Sequence, residues 1–157
     1  MSILLLGTSS GAGKTTVCAM LCRYLDRSGV DVAPFKGSNL SLNSIATKDG
    51  GEIGIGQAFQ AWAAGIEPET DMNPCLLKPS GKGVMQLIVN GKPYMDVTKD
   101  NPMDRPYVMG QVKEAFERMN TKHQLVLCEG SGSPVELNLM RTDIANVGLM
   151  RETGVPA

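Results

Sequence analysis

Residues 7–16 read GTSSGAGKTT, and the run Gly11-Ala12-Gly13-Lys14-Thr15-Thr16 is built to hold phosphate. Consecutive backbone N–H groups and the positive end of a helix together bind phosphate oxygens. In this reading Lys14 reaches the β and γ phosphates, Thr15 offers a hydroxyl to Mg2+, and Thr16 touches the α-phosphate. The common spacing of such a loop is Gly, four residues, then Gly-Lys-Ser/Thr. It asks for glycine at position 8, where Thr8 stands; the glycine comes one residue early, at Gly7. A glycine-rich turn with an exposed lysine is the alternative. A strand before the loop and a helix after it argue for the phosphate site.

Metal chemistry at such a loop needs a carboxylate, supplied as a rule from the C-terminal end of a strand, the edge that faces the nucleotide. Glu129 stands there, after the apolar run LVLC and before Gly130-Ser131-Gly132. A buried, unpaired carboxylate is costly, and a metal ion removes that cost. Asp49, in KDGGE, is a second candidate; a polar turn residue before two glycines is an equal reading. Lys36 ends the second apolar strand, and from the residues alone an ordinary surface lysine is as good an account of it.

The elements that must position these groups follow from periodicity. Residues 2–6, SILLL, form a short buried parallel strand ending at Gly7. Residues 14–27 form a helix with Val17, Met20, Leu21, Tyr24 and Leu25 on one face, stopped by Gly29. VDVAPFK is a second strand, which completes a βαβ unit with right-handed connection. Residues 37–51 and 65–83 read as loops, 52–64 as a helix whose Ala and Gly residues pack closely, and 84–94 as a strand with a turn at Asn90-Gly91. Residues 105–120 read as an amphipathic helix, 124–130 as a buried strand and 142–154 as a helix. The expected fold class is α/β: a phosphate-loop NTPase with a mostly parallel sheet flanked by helices. The pattern stops just after a helix, at Val155-Pro156-Ala157, so the chain is expected to be a fragment of a longer protein.

Bulk composition excludes several classes. The chain has 157 residues, enough for one domain with a real core, with 42% hydrophobic and 20% charged residues. A net charge of −1 gives no reason to expect nucleic acid or an anionic membrane as partner. The apolar run at the start is too short to span a bilayer and lacks the basic flank of a secretory signal, so the expected location is cytoplasmic. Cys18 and Cys22 are four apart on a helix, but no second close pair completes a zinc set. With Cys75 and Cys128 they read as buried thiols. The 10 methionines read as core.

Several stretches resemble one family. GTSSGAGKT, APFKGSNLSLNS, DGGEIGIGQAFQAWAAGIEPETDMNPCLLKP, CEGSGSPVELNL and DIANVGL occur in the order of the N-terminal synthetase domain of the cobyric acid synthase family and cover most of the chain. The Gly-Thr, four residues, Gly-Lys-Thr loop is also that of dethiobiotin synthetase and the corrin-ring amidases. The resemblance implies a dethiobiotin synthetase-like fold and ATP- and Mg2+-dependent amidation of corrin side-chain carboxylates in cobalamin biosynthesis, with cobyrinic acid a,c-diamide converted to cobyric acid. ATP would phosphorylate the carboxylate, and glutamine-derived ammonia would displace phosphate from the acyl phosphate. Lys14 would stabilise the migrating phosphoryl group, and Lys36 would face the same charge and help hold the substrate carboxylate; Thr15, Asp49 and Glu129 would hold Mg2+. Asn39, Ser41, Asn43 and Glu52 would touch the corrinoid or order the metal site.

The family's glutaminase domain, with its cysteine nucleophile, has no counterpart here. His123 is the single histidine, and no cysteine lies in a Gly-x-Cys-x-Gly setting. Residues 1–157 are therefore expected to be an incomplete synthetase domain, with ammonia supplied from a domain outside this chain. Three alternatives remain in view. One is a cobyrinic acid a,c-diamide synthase or dethiobiotin synthetase-like ligase; the diamide synthases carry Gly-Pro-Asp after the lysine where this chain has Gly-Ser-Asn. Another is a partition-type nucleotide switch, which would want lysine at Ser9 or Ser10. The third is a non-catalytic phosphate-loop domain that regulates a partner enzyme.

Overall fold

The computed structural model describes residues 1–135 and 143–157. Its centre is a three-stranded, wholly parallel sheet in the order β1 (Ser2–Leu5), β9 (Leu125–Glu129), β2 (Val32–Phe35). Leu4 faces Cys128, and Phe35 faces Cys128 from the other side. Successive side chains of a strand point to opposite faces. Val126 and Cys128 accordingly enter one apolar cluster, with Ala33 and Phe35, while Leu127 enters the other with Val32. Both faces are covered, as a parallel sheet requires.

On one face lies α1 (Lys14–Arg27); on the other, α3 (Arg105–Lys122) and α4 (Val147–Thr153); α2 (Ile55–Ala63) puts Ala61 into the cluster of α3 and α4 and Ala63 against that of α1. Helix α3 is capped by Asp104, whose carboxylate accepts from the N–H of Tyr107, and Phe116 meets Phe35 edge-on at 5.4 Å. Helix α1 ends through Ser28 and Gly29, the latter left-handed at φ 80°.

The buried face of α1 differs from the one its largest apolar residues suggest. Cys18, Ala19 and Cys22 are buried, whereas Val17, Met20 and Tyr24 are exposed. Small side chains let α1 lie close against α2, and a Cβ on Gly56 would come 3.1 Å from Thr15 Cγ2. Close approach between the helices, rather than apolar volume, selects the face. Of the methionines, Met72 and Met119 are buried in the core and Met20 is exposed.

Several stretches read as loop or helix are strand. Residues 37–51 hold β3 (Ser38–Leu40) and β4 (Ser44–Ala46); the first residues of 52–64 form β5 (Glu52–Gly54), antiparallel to β4, before α2 begins. Residues 65–83 contain β6 (Cys75–Gly81), which joins β3 in parallel and β7 (Val84–Val89) antiparallel. A β8 strand (Lys92–Val97) follows the Asn90-Gly91 turn. Proline hid β6: Pro79 sits next to a register shift, where a missing N–H is tolerated. Residues 143–146 precede α4 rather than belonging to it. The Asp143 carboxylate accepts from the N–H groups of Ala145, Asn146 and Gly148, a side-chain capture that competes with helix. Beyond α4, the Leu4 N–H donates to the Pro156 carbonyl at 2.7 Å, on the side of β1 away from β9.

Candidate nucleotide-binding site

The site forms where β1, β2 and β9 end. A cavity of about 470 Å3 there is lined by the phosphate loop, Lys36, Asn39, Leu40, Glu129 and residues 131–132. Gly11 and Gly13 are left-handed, at φ 74° and 88°, which bends the chain from β1 into the first turn of α1. Gly13 is the residue before that helix, so the helix's free N–H groups open towards the cavity. Ala12 and Thr16 are exposed on the loop and first turn.

Gly7 has a separate reason to be glycine. A Cβ there would lie 3.0 Å from Cγ and 3.1 Å from Cδ of Lys14. The lysine side chain folds back across this position, and its Nζ donates to the carbonyls of Ser9 and Gly132, each at 2.8 Å. The early glycine is thus the bed of the Lys14 stem.

Glu129 is the polar centre, 1% exposed. Its Oε1 accepts from Thr15 Oγ1 and from Lys36 Nζ, both at 2.8 Å. Its Oε2 accepts from Gln60 Nε2 at 2.6 Å and Gln57 Nε2 at 3.4 Å. Lys36 is itself buried, so the pair is a desolvated salt bridge. Lys14, Thr15, Lys36 and Glu129, from three segments of the chain, line one cavity.

The loop after Glu129 is held by Asn146. Its Oδ1 accepts from the Ser131 N–H at 2.9 Å and its Nδ2 donates to the Ser131 carbonyl at 2.7 Å. Gly130 leaves room for it: a Cβ there would meet Asn146 Oδ1 at 2.3 Å. Residues 136–139 of the VELNL stretch lie outside the described residues.

The remaining candidates are arranged differently. Asn39 lines the cavity and donates to Gln57 Oε1 at 3.0 Å. Ser41 and Asn43 bond to one another in a turn. Glu52 faces Lys78 and Ser44; burial alone would raise its carboxyl, but these hydrogen bonds and the lysine charge hold it below the usual range. Asp49 is not brought to Glu129. Its Oδ2 accepts from the N–H and Oγ1 of Thr70 at 3.0 and 2.7 Å. Burial pushes its carboxyl up, and the bonds from Thr47, Thr70 and Gly51 outweigh that and lower it. The arrangement makes Asp49 a loop fastener, while Thr15 and Glu129 bring side-chain oxygens to the cavity. Both are hard oxygen ligands of the kind Mg2+ takes, alongside the phosphates of a nucleotide.

Gln57, Gln60 and Asn73 are missing from the sequence reading. Each is 1% exposed or less. The signal was present in GQAFQAWAA: two glutamines three apart, on the same helical face as Ala58 and Ala61, which is a buried face. Asn73 Oδ1 accepts from the Gly54 N–H, and its Nδ2 donates to the carbonyls of Lys36 and Cys75. It fastens β5 and β6 to the segment that carries Lys36.

A parallel sheet, a glycine loop leading into a helix, and a lysine and a carboxylate converging at the strand ends define a phosphate-loop nucleotide-binding domain. The chain belongs to the family described as the CobQ/CobB/MinD/ParA nucleotide binding domain, which matches residues 3–149. Among its relatives is the probable cobyric acid synthase of Methanoculleus marisnigri, 50% identical over 157 residues, covering 99% of this chain and 32% of that protein. The cobyric acid synthase of Frankia casuarinae is 50% identical over 157 residues, covering 98% of this chain and 30% of its own length. The probable cobyric acid synthase of Methanoregula boonei is 47% identical, covering 99% and 33%. The chain thus spans about a third of the length of the curated relatives it matches. Among the described residues no helix is long and apolar enough to cross a membrane, and no three His, Cys, Asp or Glu side chains converge as a metal cluster.

Proposed function

We propose that this chain is the ATP-binding part of a cobyric acid synthase, acting in the cytoplasm on side-chain carboxylates of a corrinoid in cobalamin biosynthesis. The observation that carries the reading is about 50% identity to cobyric acid synthases over nearly the whole chain, in a molecule whose Lys14, Lys36 and Glu129 meet at one cavity. Residues 1–157 would form the synthetase domain in part, with ammonia coming from a glutaminase domain outside this chain.

A carboxylate is a poor acyl donor because oxide is a poor leaving group. In the proposed reaction a substrate carboxylate oxygen attacks the γ-phosphorus of ATP and ADP leaves. Ammonia then adds to the acyl carbon, phosphate departs and a proton is lost, giving the amide. Such transfers depend on alignment and charge neutralisation more than on covalent help from the protein. Lys14 would exchange its carbonyl partners, Ser9 and Gly132, for phosphate oxygens. Lys36, across the cavity, would bear on the transferring group from the substrate side. Thr15 and Glu129 would hold Mg2+, which neutralises phosphate charge when bound. Asn39, at the cavity wall, would meet the substrate, and Ser41, Asn43 and Glu52 would touch it or order the site.

The test is calorimetric titration of a non-hydrolysable ATP analogue with Mg2+, with and without cobyrinic acid a,c-diamide. Nucleotide affinity that rises with the corrinoid is the expected result. Nucleotide binding indifferent to the corrinoid, in the full-length protein, would overturn the substrate assignment and leave a phosphate-loop domain of other function.

A further inference from the structure

The two oxygens of Glu129 are served from different places. Oε1 receives Thr15 and Lys36, the residues on the nucleotide side; among the described residues Oε2 receives Gln57 and Gln60 alone, both from α2. We infer that Gln60, assisted by Gln57, is a positioning residue that fixes the rotation of the Glu129 carboxylate so that Oε1 is presented at the phosphate loop. The inference rests on the proposed nucleotide-and-Mg2+ reading of the site.

The hydrogen-bond inventory of Gln60 supports it. A primary amide has two N–H donors and a carbonyl acceptor. Nε2 of Gln60 uses both donors, one on Glu129 Oε2 at 2.6 Å and one on the Thr15 backbone carbonyl at 3.3 Å. Its Oε1 is buried without a partner among the described residues. Leaving an acceptor unpaired in the interior is unfavourable, so the residue is held there by what its donors do. Reversing the amide would set two oxygens 2.6 Å apart, which fixes its orientation. A single nitrogen therefore ties the metal-side carboxylate to the backbone of Thr15, the residue whose hydroxyl meets the other oxygen of the same carboxylate.

Gln57 extends the tie. Its Nε2 reaches Glu129 and its Oε1 accepts from Asn39, on the cavity wall. The carboxylate is thereby linked through one side chain to the strand that carries Lys36's neighbours. Gly54 is kept bare beside this chain of amides: a Cβ there would come 2.3 Å from Asn39 Nδ2 and 3.1 Å from Gln57 Oε1.

The experiment compares wild type, Gln60→Met and Gln57→Met in the full-length protein. Binding of a non-hydrolysable ATP analogue is measured by calorimetry, once with Mg2+ and once with EDTA, with a thermal melt of each variant. Methionine keeps the volume and removes the donors. The expected result for Gln60→Met is a weakening of the Mg2+-dependent affinity by about ten- to a hundredfold, the usual effect of losing the group that orients a metal ligand. Affinity in EDTA should stay within about twofold, and Gln57→Met should lose less. Wild-type Mg2+ dependence in Gln60→Met, or an equal loss with and without Mg2+, would overturn the inference. Should Gln60→Met not fold, Gln57→Met is read by the same two criteria. Lys14→Ala separates the two levels: if it leaves nucleotide binding intact, the reading of the site itself falls, and this inference with it.

Discussion

Lys36 Nζ and Glu129 Oε1 lie 2.8 Å apart, 93 residues distant in sequence, with both side chains out of solvent. Removing one partner of such a pair strands a charge in the interior, which costs more than removing both. Lys36→Met is expected to lower stability by about 3 kcal/mol, at the low end for a broken buried pair because Thr15, Gln57 and Gln60 still bond the carboxylate. Adding Glu129→Gln should restore part of that loss, since a neutral amide keeps the volume without the stranded charge. Urea unfolding of both singles and the double measures the coupling. Strictly additive losses would show that the two charges do not support each other.

Lys14 has no carboxylate partner among the described residues; it bonds two carbonyls across the cavity. Its contribution to the fold should therefore be small beside its contribution to phosphate. For Lys14→Ala we expect a stability change of about 1–2 kcal/mol. Nucleotide affinity should fall by roughly a hundredfold or more, as loss of charge-assisted bonds worth about 3 kcal/mol predicts. Calorimetry and a thermal melt on the same preparation give both numbers. An unfolded variant or an unchanged affinity would each contradict this division.

How much of this was legible beforehand divides along local and non-local lines. The βαβ core was readable because each piece announces itself: an apolar run, a glycine loop, a helix and a closing apolar run that ends at Lys36, with the later apolar run LVLC leading to Glu129. The second sheet was not. β3, β4 and β6 are short or proline-bearing, and their apolar alternation is set by partners that periodicity does not reveal. The partners of Asp49 illustrate the same limit. KDGGE beside a phosphate loop invites a metal, and only the fold shows that Thr70, 21 residues on, takes the carboxylate. Gln57 and Gln60 were hidden by type, since a helix rich in alanine reads as packing until a buried acid is found facing it.

Two lowered carboxyls give a pH dependence with a definite sign. Asp49 is held below its ordinary value of 3.8, and Glu52 below 4.5. A group more acidic in the folded state binds fewer protons there than in the unfolded chain, so it adds stability above the unfolded value and loses it as pH falls through the folded one. Stability should therefore be flat from neutral pH down to about 4.5 as far as these groups are concerned, and decline below. Glu52→Gln and Asp49→Asn should each flatten the acid limb of the stability curve measured by urea unfolding. The effect will be modest because both groups are partly solvated. An unaltered acid limb in both variants would assign the acid sensitivity elsewhere.

The four cysteines supply the last prediction. Cys18, Cys22, Cys75 and Cys128 are all buried and free. Burial raises Cys18 and Cys22 to about 12 and Cys75 to about 11, and raises Cys128 as well; the Glu129 charge adds to the effect on Cys18. The thiolate is the reacting form, and it is suppressed here along with access. At pH 7 to 8 a thiol reagent should therefore label the native protein only as fast as the fold opens, and label all four sites at once in denaturant. The sign in stability is opposite to that of the carboxylates. Below the unfolded value of 9.0 the folded and unfolded chains are equally protonated at these sites. Above it the unfolded chain sheds protons that the folded one retains, so stability falls as pH rises towards the folded values. Rapid stoichiometric labelling of the native protein at pH 7 would mean that α1 does not hold Cys18 and Cys22 against the sheet, and would undercut the packing on which Thr15 and Glu129 depend.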